Sequence, residues 1–272
     1  MKKISTLLAA IILMLTATSC GNDEPKDQVW VMNTQLINHV VNSVSGEFVN
    51  MSMGGIYVEY NVTKMTANLA YAVAIGNENV TIELTDVAMT YDKNAGGYLI
   101  QLKSPVSADN HSVNDLDIFI DMHLDRETLC HWVSANIDGK YEINALAPVI
   151  SFLNSSTHIT EPNGDTASDN KGTYEFSFVG LSTENKFGSL SISGINFSPF
   201  DYGLKYGGLD VEFTNEGLHI TNSKTLYPAD GTGQQYQLTN LDATINFASH
   251  SFSAEVDVEN TAKLNATGAF AN

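Results

Sequence analysis

Leu69, Tyr71, Val73 and Ile75 alternate with Ala70, Ala72 and Ala74, and Leu116, Ile118, Ile120 and Met122 alternate with Asp117, Phe119 and Asp121. A period of two with one polar face is the pattern of a half-buried antiparallel strand, because successive side chains point to opposite faces of a sheet. Clusters of turn formers, such as Asp92-Lys93-Asn94-Ala95-Gly96-Gly97 and Asp138-Gly139, punctuate the runs. No long stripe of helical period is sustained. Only Trp30 to Val44 is ambiguous, since Ile37, Val40, Val41 and Val44 would also fit a short helix. The pattern predicts an all-β chain.

A weak internal repeat organises it. Ile82, Leu84, Val87 and Met89 share their spacing with Leu190, Ile192, Ile195 and Phe197, and each set breaks alternation once, at Thr85-Asp86 and at Ser193-Gly194. A single phase slip is what a β-bulge produces. Leu116 to Met122 matches Leu241 to Phe247 position by position in polarity. A second strand follows each, through Leu129, His131 and Val133 or Phe252, Ala254 and Val256, and the copies close on Ile143-Asn144-Ala145 and Leu264-Asn265-Ala266. Between them, residues 151–172 are poor in apolar side chains and rich in turn formers, which reads as a linker or long surface loop. Two tandem β-sandwich or small-barrel domains are predicted, over 29–150 and 173–272. One elongated β structure of two related halves is the alternative.

The amino terminus has a separate logic. Lys2 and Lys3 precede an apolar run from Leu7 to Leu15, and small and polar residues follow through Ser19-Cys20. That is the order of a secretory signal, and the run is about half of the roughly 20 residues a membrane-spanning helix needs. Ala17-Thr18-Ser19-Cys20 resembles the lipobox of Bacteroidetes lipoproteins. The resemblance implies a signal peptide over 1–19, lipidation of Cys20 and an acidic tether over 20–28. Acidic residues directly behind the cysteine, Asp23 and Glu24, resemble the signal that sends such lipoproteins to the outer face of the outer membrane; the periplasmic face is the alternative. Beyond residue 24 the likeness is one of style, to tandem β lipoproteins and to calycin-like barrels, and implies no ligand.

Lys2 and Lys3 account for two of the 13 basic residues, so the chain beyond residue 19 carries 11 against 31 acidic ones. About 20 net negative charges repel phosphate backbones, so nucleic acid is not expected as a partner. Cys130 is the only cysteine besides Cys20, which leaves no internal disulfide and makes the apolar core the source of stability.

Four features are candidate sites. The hairpin Asp121 to Trp132 would place His123 opposite Cys130 if Leu124 paired with Leu129; both are zinc-ligand types, but two ligands and a carboxylate fall short of a closed site, and no metal is expected. The second copy inserts Ser198 to Gly208 and Tyr227 to Gln235. If the strands over 209–213 and 218–225 form a simple meander, both insertions emerge at one end. Phe200, Tyr202, Tyr206 and Tyr227 are then candidate ligand-binding residues, unless Phe200 and Tyr202 fold back to plug the domain. Asp165-Thr166-Ala167 resembles the short motif at which Bacteroidetes attach O-glycans, making Thr166 a candidate acceptor. Asp115, Asp117 and Asp121 are carboxylates of the type a glycosidase needs, but Asp117 and Asp121 alternate with core residues on a solvated face, where Asp242 and Asn246 are their counterparts. No nucleophile elbow, zinc-protease helix or phosphate loop appears, and no cofactor is implied.

The expectation is therefore a lipid-anchored, non-catalytic binding module for a glycan, peptide or small apolar ligand. The alternatives are a structural or adhesive component working with other envelope proteins and, third, a glycoside hydrolase.

Overall fold

The computed structural model describes residues 27–93, 96–108, 110–121, 129–178, 181, 186–229, 231 and 235–269. The segment expected to be an export signal, residues 1–19, and Cys20 lie outside them. The described chain is all-β and forms two closed antiparallel barrels in tandem, each with an eight-stranded wall.

The first barrel is built from β1 (Val29–Asn42), β2 (Phe48–Asn61), β3 (Thr66–Ile75), β4 (Glu78–Asp92), β5 (Gly97–Gln101), β6 (Val106–Ala108), β7 (His111–Asp121), β8 (Leu129–Ile137) and β9 (Tyr141–Leu146). Neighbours run β5-β4-β3-β2-β1-β9-β8-β7, and β5 pairs with β7 to close the ring. The short β6 follows β5 along the same edge of β7, against Val113, Ser112 and His111. The second barrel takes β10 (Val149–Thr160), β11 (Thr166–Ser177), β12 (Phe187–Ser193), β13 (Leu204–Phe213), β14 (Gly217–Thr221), β15 (Leu238–Asn246), β16 (Ser251–Val258) and β17 (Ala262–Ala269) in chain order, closed by β10 on β17. Closure removes most of the free edges that open sheets expose.

Both interiors are filled by inward-facing side chains. Met32, Leu36, Ile56, Val58, Tyr71, Ile82 and Ile118 are among those in the first, and Phe152, Tyr174, Phe176, Leu190, Tyr206 and Phe252 among those in the second. The rings of Phe152 and Phe252 lie 4.5 Å apart at an interplanar angle of 34°. The ambiguity over Trp30 to Val44 has a physical cause. Leu36, Ile37, Asn38, His39 and Val40 are all buried, because β1 turns Leu36 and Val40 into its own barrel and Ile37 against the second one. Burial on both faces erases alternation, as it does in any sheet covered on two sides.

Residues 151–172 are not a linker. They form most of the β10–β11 hairpin, and only Ala147 and Pro148 separate the barrels' strands. The segment lacks apolar periodicity because two of its inward positions are Ser155 and Thr157. Their hydroxyls meet the Phe152 carbonyl at 2.9 Å and the Tyr174 hydroxyl at 3.1 Å, so burial costs little. The first half of β11 extends past its pairing with β12, and most of it faces water.

The repeat is also corrected in one block. Leu116 and Leu241, Leu129 and Phe252, and Ile143 and Leu264 occupy the sixth, seventh and eighth wall strands of their barrels. Ile82 to Met89 lies on the fourth strand, whereas Leu190 to Ile192 lies on the third. The counterpart on the fourth strand is Leu204, Tyr206, Leu209 and Val211, with the same spacing. Both fourth strands carry a bulge against the third: the register passes from Ala67↔Val87 to Leu69↔Leu84, and from Gly188↔Leu209 to Ser189↔Gly207. A left-handed residue sits in each, Asp86 at φ 53° and Gly208 at φ 77°. Gly207-Gly208 looks like loop sequence because a bulge and a turn ask for the same freedom. The break at Ser193-Gly194 marks instead the end of β12.

Candidate functional site

β13 and β14 are joined by the tight turn Thr214 to Gly217, so the chain before β13 and after β14 emerges at the opposite end of the barrel. There the two segments touch. Tyr206 and Pro228 form a bridge, Leu226 pairs with Leu238, and the Ala229 amide donates to the Lys205 carbonyl at 2.7 Å. The four aromatic candidates separate into two classes. Phe200 and Tyr206 are completely buried in the core, and the Tyr206 hydroxyl donates to the Tyr236 carbonyl at 2.9 Å. Phe200 stacks on Phe197 with centroids 6.4 Å apart, plugging the barrel end. Tyr202 and Tyr227 stand outside, 66% and 54% exposed. The Tyr202 phenol is held above its usual range, chiefly by hydrogen bonding with the Tyr236 side chain, while Ser198 pulls the other way. Asp201 and Lys205 are exposed beside them. This end can offer two amphipathic rings and polar groups on a fixed base.

The other candidates are scattered. Thr166 is exposed at the tip of the β10–β11 hairpin, whose turn is fixed by the Glu161 amide donating to the Asp165 carbonyl at 2.8 Å. Cys130 pairs across the strands with Ile120, and Asp121 with Leu129, so His123 is not the cross-strand partner of Cys130; His123 itself lies outside the described residues. Among the described residues no three His, Cys, Asp or Glu side chains gather as a metal cluster. Asp115 is exposed, Asp117 accepts from the Gln101 amide at 2.9 Å, and Asp242 pairs with His219 Nε2 at 3.0 Å. Asp115, Asp117 and Asp242 thus lie on barrel walls rather than around a shared cleft. The side chain of Asp121 lies outside the described residues.

Two further sets of residues escaped sequence reasoning. One is the junction between barrels. His39 Nε2 lies 2.7 Å from the Thr214 carbonyl, and its ring packs between Phe48 and Phe247, each 5.4 Å away. Trp132 stacks on His250. Polar and aromatic residues on outward-facing strand positions look solvated until a second body covers them. The other set is the aromatic mouth of the first barrel, where Trp30 pairs in register with Tyr60, and Tyr98 lies between Tyr60 at 6.2 Å and Tyr91 at 5.1 Å. The in-phase position of Trp30 with Met32 and Leu36 was the available signal.

No protein family, curated protein or solved structure matches the chain.

Proposed function

We propose that this is a lipid-anchored outer-membrane protein of the cell surface that binds a glycan, without catalysis, at the tyrosine-bearing end of its second barrel. The observation that carries the proposal is the opposition of that barrel's two ends. The end formed by Thr214 to Gly217 and Phe247 to His250 is occupied by the first barrel, while Tyr202 and Tyr227 project from the other. The tether enters through the first barrel, so the free end faces away from the body that the lipid holds. Tyrosine offers a large rigid face at low entropic cost, and pyranose rings present flat C–H faces to such rings. Binding on loops over a rigid wall is also the common arrangement for recognition. Filled interiors favour such a surface over an enclosed apolar ligand.

The test is binding of the purified chain to arrayed envelope and host polysaccharides. Tyr202→Ala and Tyr227→Ala are expected to weaken binding about tenfold each while leaving the melting temperature nearly unchanged. Unchanged affinity in both variants would remove the site. The anchor is tested separately: Cys20→Ser is expected to abolish palmitate labelling and release the protein from membranes.

One observation favours the structural, adhesive alternative. Among the described residues, Val29 to Leu36 of β1 pair only with β2, since β9 begins its pairing at Ile37. A half-paired strand can accept another strand. Co-purification of a stoichiometric envelope partner, lost on Val31→Pro, would support that role.

A further inference from the structure

The first barrel has a distinct surface at the end where the chain enters it. Val29, Trp30 and Val31 are 49%, 50% and 53% exposed, and Tyr91 across the mouth is 50% exposed. Trp30, Tyr60, Tyr91 and Tyr98 share the inward phase of their strands: Tyr98 packs with Tyr60, which is fully buried, and with the exposed Tyr91, and Trp30 is the cross-strand neighbour of Tyr60 at this end. Trp and Tyr combine an apolar body with a polar tip, and they concentrate where hydrocarbon meets water.

The entry point is pinned. Asp27 forms an ion pair with Lys64, and the Val62 amide donates to the Gln28 carbonyl at 3.0 Å, which ties the incoming segment to the β2–β3 turn at this same rim. From Cys20 to Asp27 the chain can span at most about 25 Å fully extended. A lipid on Cys20 therefore keeps this mouth within a short tether of the bilayer. Charge fits as well. In a strongly acidic protein the charges here are mixed rather than all negative: Lys64 pairs with Asp27 and feels Asp86, and Lys93 lies at the end of β4, a mixture that a zwitterionic surface tolerates.

We infer that the mouth of the first barrel rests on the bilayer that holds the lipid, with Trp30 and Tyr91 entering the headgroup region. This rests on the tether proposed above. Contact at two places, a lipid and an aromatic rim, orients the barrel where a tether alone would let it swing. It turns the Tyr202 end of the second barrel into a surface with a fixed presentation.

The chain has two tryptophans, and Trp132 is half-buried between Phe119 and His250 in the junction, so Trp30 can be read separately. The chain from residue 21, carrying an N-terminal hexahistidine tag, is bound to phosphatidylcholine vesicles containing nickel-chelating lipid and acyl chains brominated near the headgroup. Trp30 emission is expected to be quenched and shifted to the blue, with the Trp132 contribution unchanged. Trp30→Phe is expected to lose the response, and Tyr91→Ala to diminish it, with unaltered circular dichroism. Unquenched Trp30 emission from vesicle-bound protein would overturn the docking. A Cys20 free of acyl chains in protein purified from native membranes would overturn it through the tether instead, so the two failures are told apart.

Discussion

The indole of Trp132, on the first barrel, stacks on the imidazole of His250, on the second, with ring centroids 4.5 Å apart and planes 22° from parallel. Burial holds the His250 ring well below its ordinary value, to about 4. On the same junction, burial also lowers His39, opposed by its contact with the Thr214 carbonyl and by the Glu142 carboxylate. Since a carbonyl can only accept, His39 Nε2 carries the proton, and its buried Nδ1 has no partner. A second proton on that ring would place a buried donor without an acceptor between two phenyl rings.

Acid is therefore expected to weaken the junction. Both folded-state values lie below the unfolded one near 6.5, so the stabilisation is complete above that pH and is lost as pH falls from about 6.5 toward 4. For His250 the loss is about 2 kcal/mol once solvent screening is allowed for. His111, raised mainly by its hydrogen bond to Asp138, has the opposite sign, and the exposure of the Asp138 carboxylate at the surface keeps that contribution small. Urea unfolding at pH 7.5 and pH 5 reads the difference, and His250→Gln is expected to flatten it. Equal pH slopes in the two proteins would place the sensitivity elsewhere.

Phe200 and Tyr202 stand two residues apart and are expected to behave oppositely. Phe200 is fully buried against Phe197, so Phe200→Ala is expected to cost about 3–5 kcal/mol through lost transfer energy and the cavity left behind. Tyr202 is mostly exposed, and Tyr202→Ala is expected to change stability by less than about 0.5 kcal/mol. Denaturant midpoints for the two variants decide it. A large loss for Tyr202→Ala would make that ring part of the plug and remove it from the binding surface.

Turn geometry offers a sharper case at the junction end. Gly217 has φ +147°, and a Cβ there would meet the Ile245 carbonyl oxygen and come within 2.7 Å of the Phe247 ring. Gly217→Ala combines backbone strain with overlap against a fixed strand and is expected to cost about 2–4 kcal/mol. The Gly46→Ala control also has a positive φ, of +73°, but nothing within 4 Å of a Cβ, so it carries backbone strain, milder than at +147°, without any overlap. Similar losses in the two variants would show that crowding at Gly217 contributes nothing.

The strands were legible where one face met water, as in Leu69 to Ile75 and Leu116 to Ile120, because period-two alternation reports that condition directly. It failed for two opposite reasons. At Leu36 to Val40 both faces are covered, and at Ser168 to Lys171 most positions face solvent, so neither stretch alternates. The repeat was visible in the last three wall strands, whose blocks are contiguous. It slipped at the fourth, since Gly207-Gly208 reads as a turn, and Leu190 to Phe197 offered the same spacing one strand too early. At the loop end, the meeting of two insertions followed from the short Thr214 to Gly217 turn. Which rings face in did not follow, because local sequence cannot say whether Phe200 or Tyr202 meets the barrel's interior. The junction was invisible for a related reason: His39, Trp132 and His250 acquire their partners from the other barrel.

The buried pair in the second barrel's core provides the last test. The Tyr174 hydroxyl lies 3.1 Å from Thr157 Oγ1, with Tyr174 completely buried and its phenol pushed up by that burial. Phe252 packs 5.1 Å from the Tyr174 ring, so the pair sits in aromatic surroundings where water does not compete. Removing one partner leaves the other's polar group buried, which costs about 1–3 kcal/mol, whereas replacing both by apolar isosteres can be nearly neutral. Tyr174→Phe and Thr157→Val are each expected to destabilise, and the double variant to recover most of the loss. A double-mutant cycle by urea denaturation measures the coupling. Additive losses would mean that the two hydroxyls have other partners, and that the polar residues of β10 are held in the barrel by something besides each other.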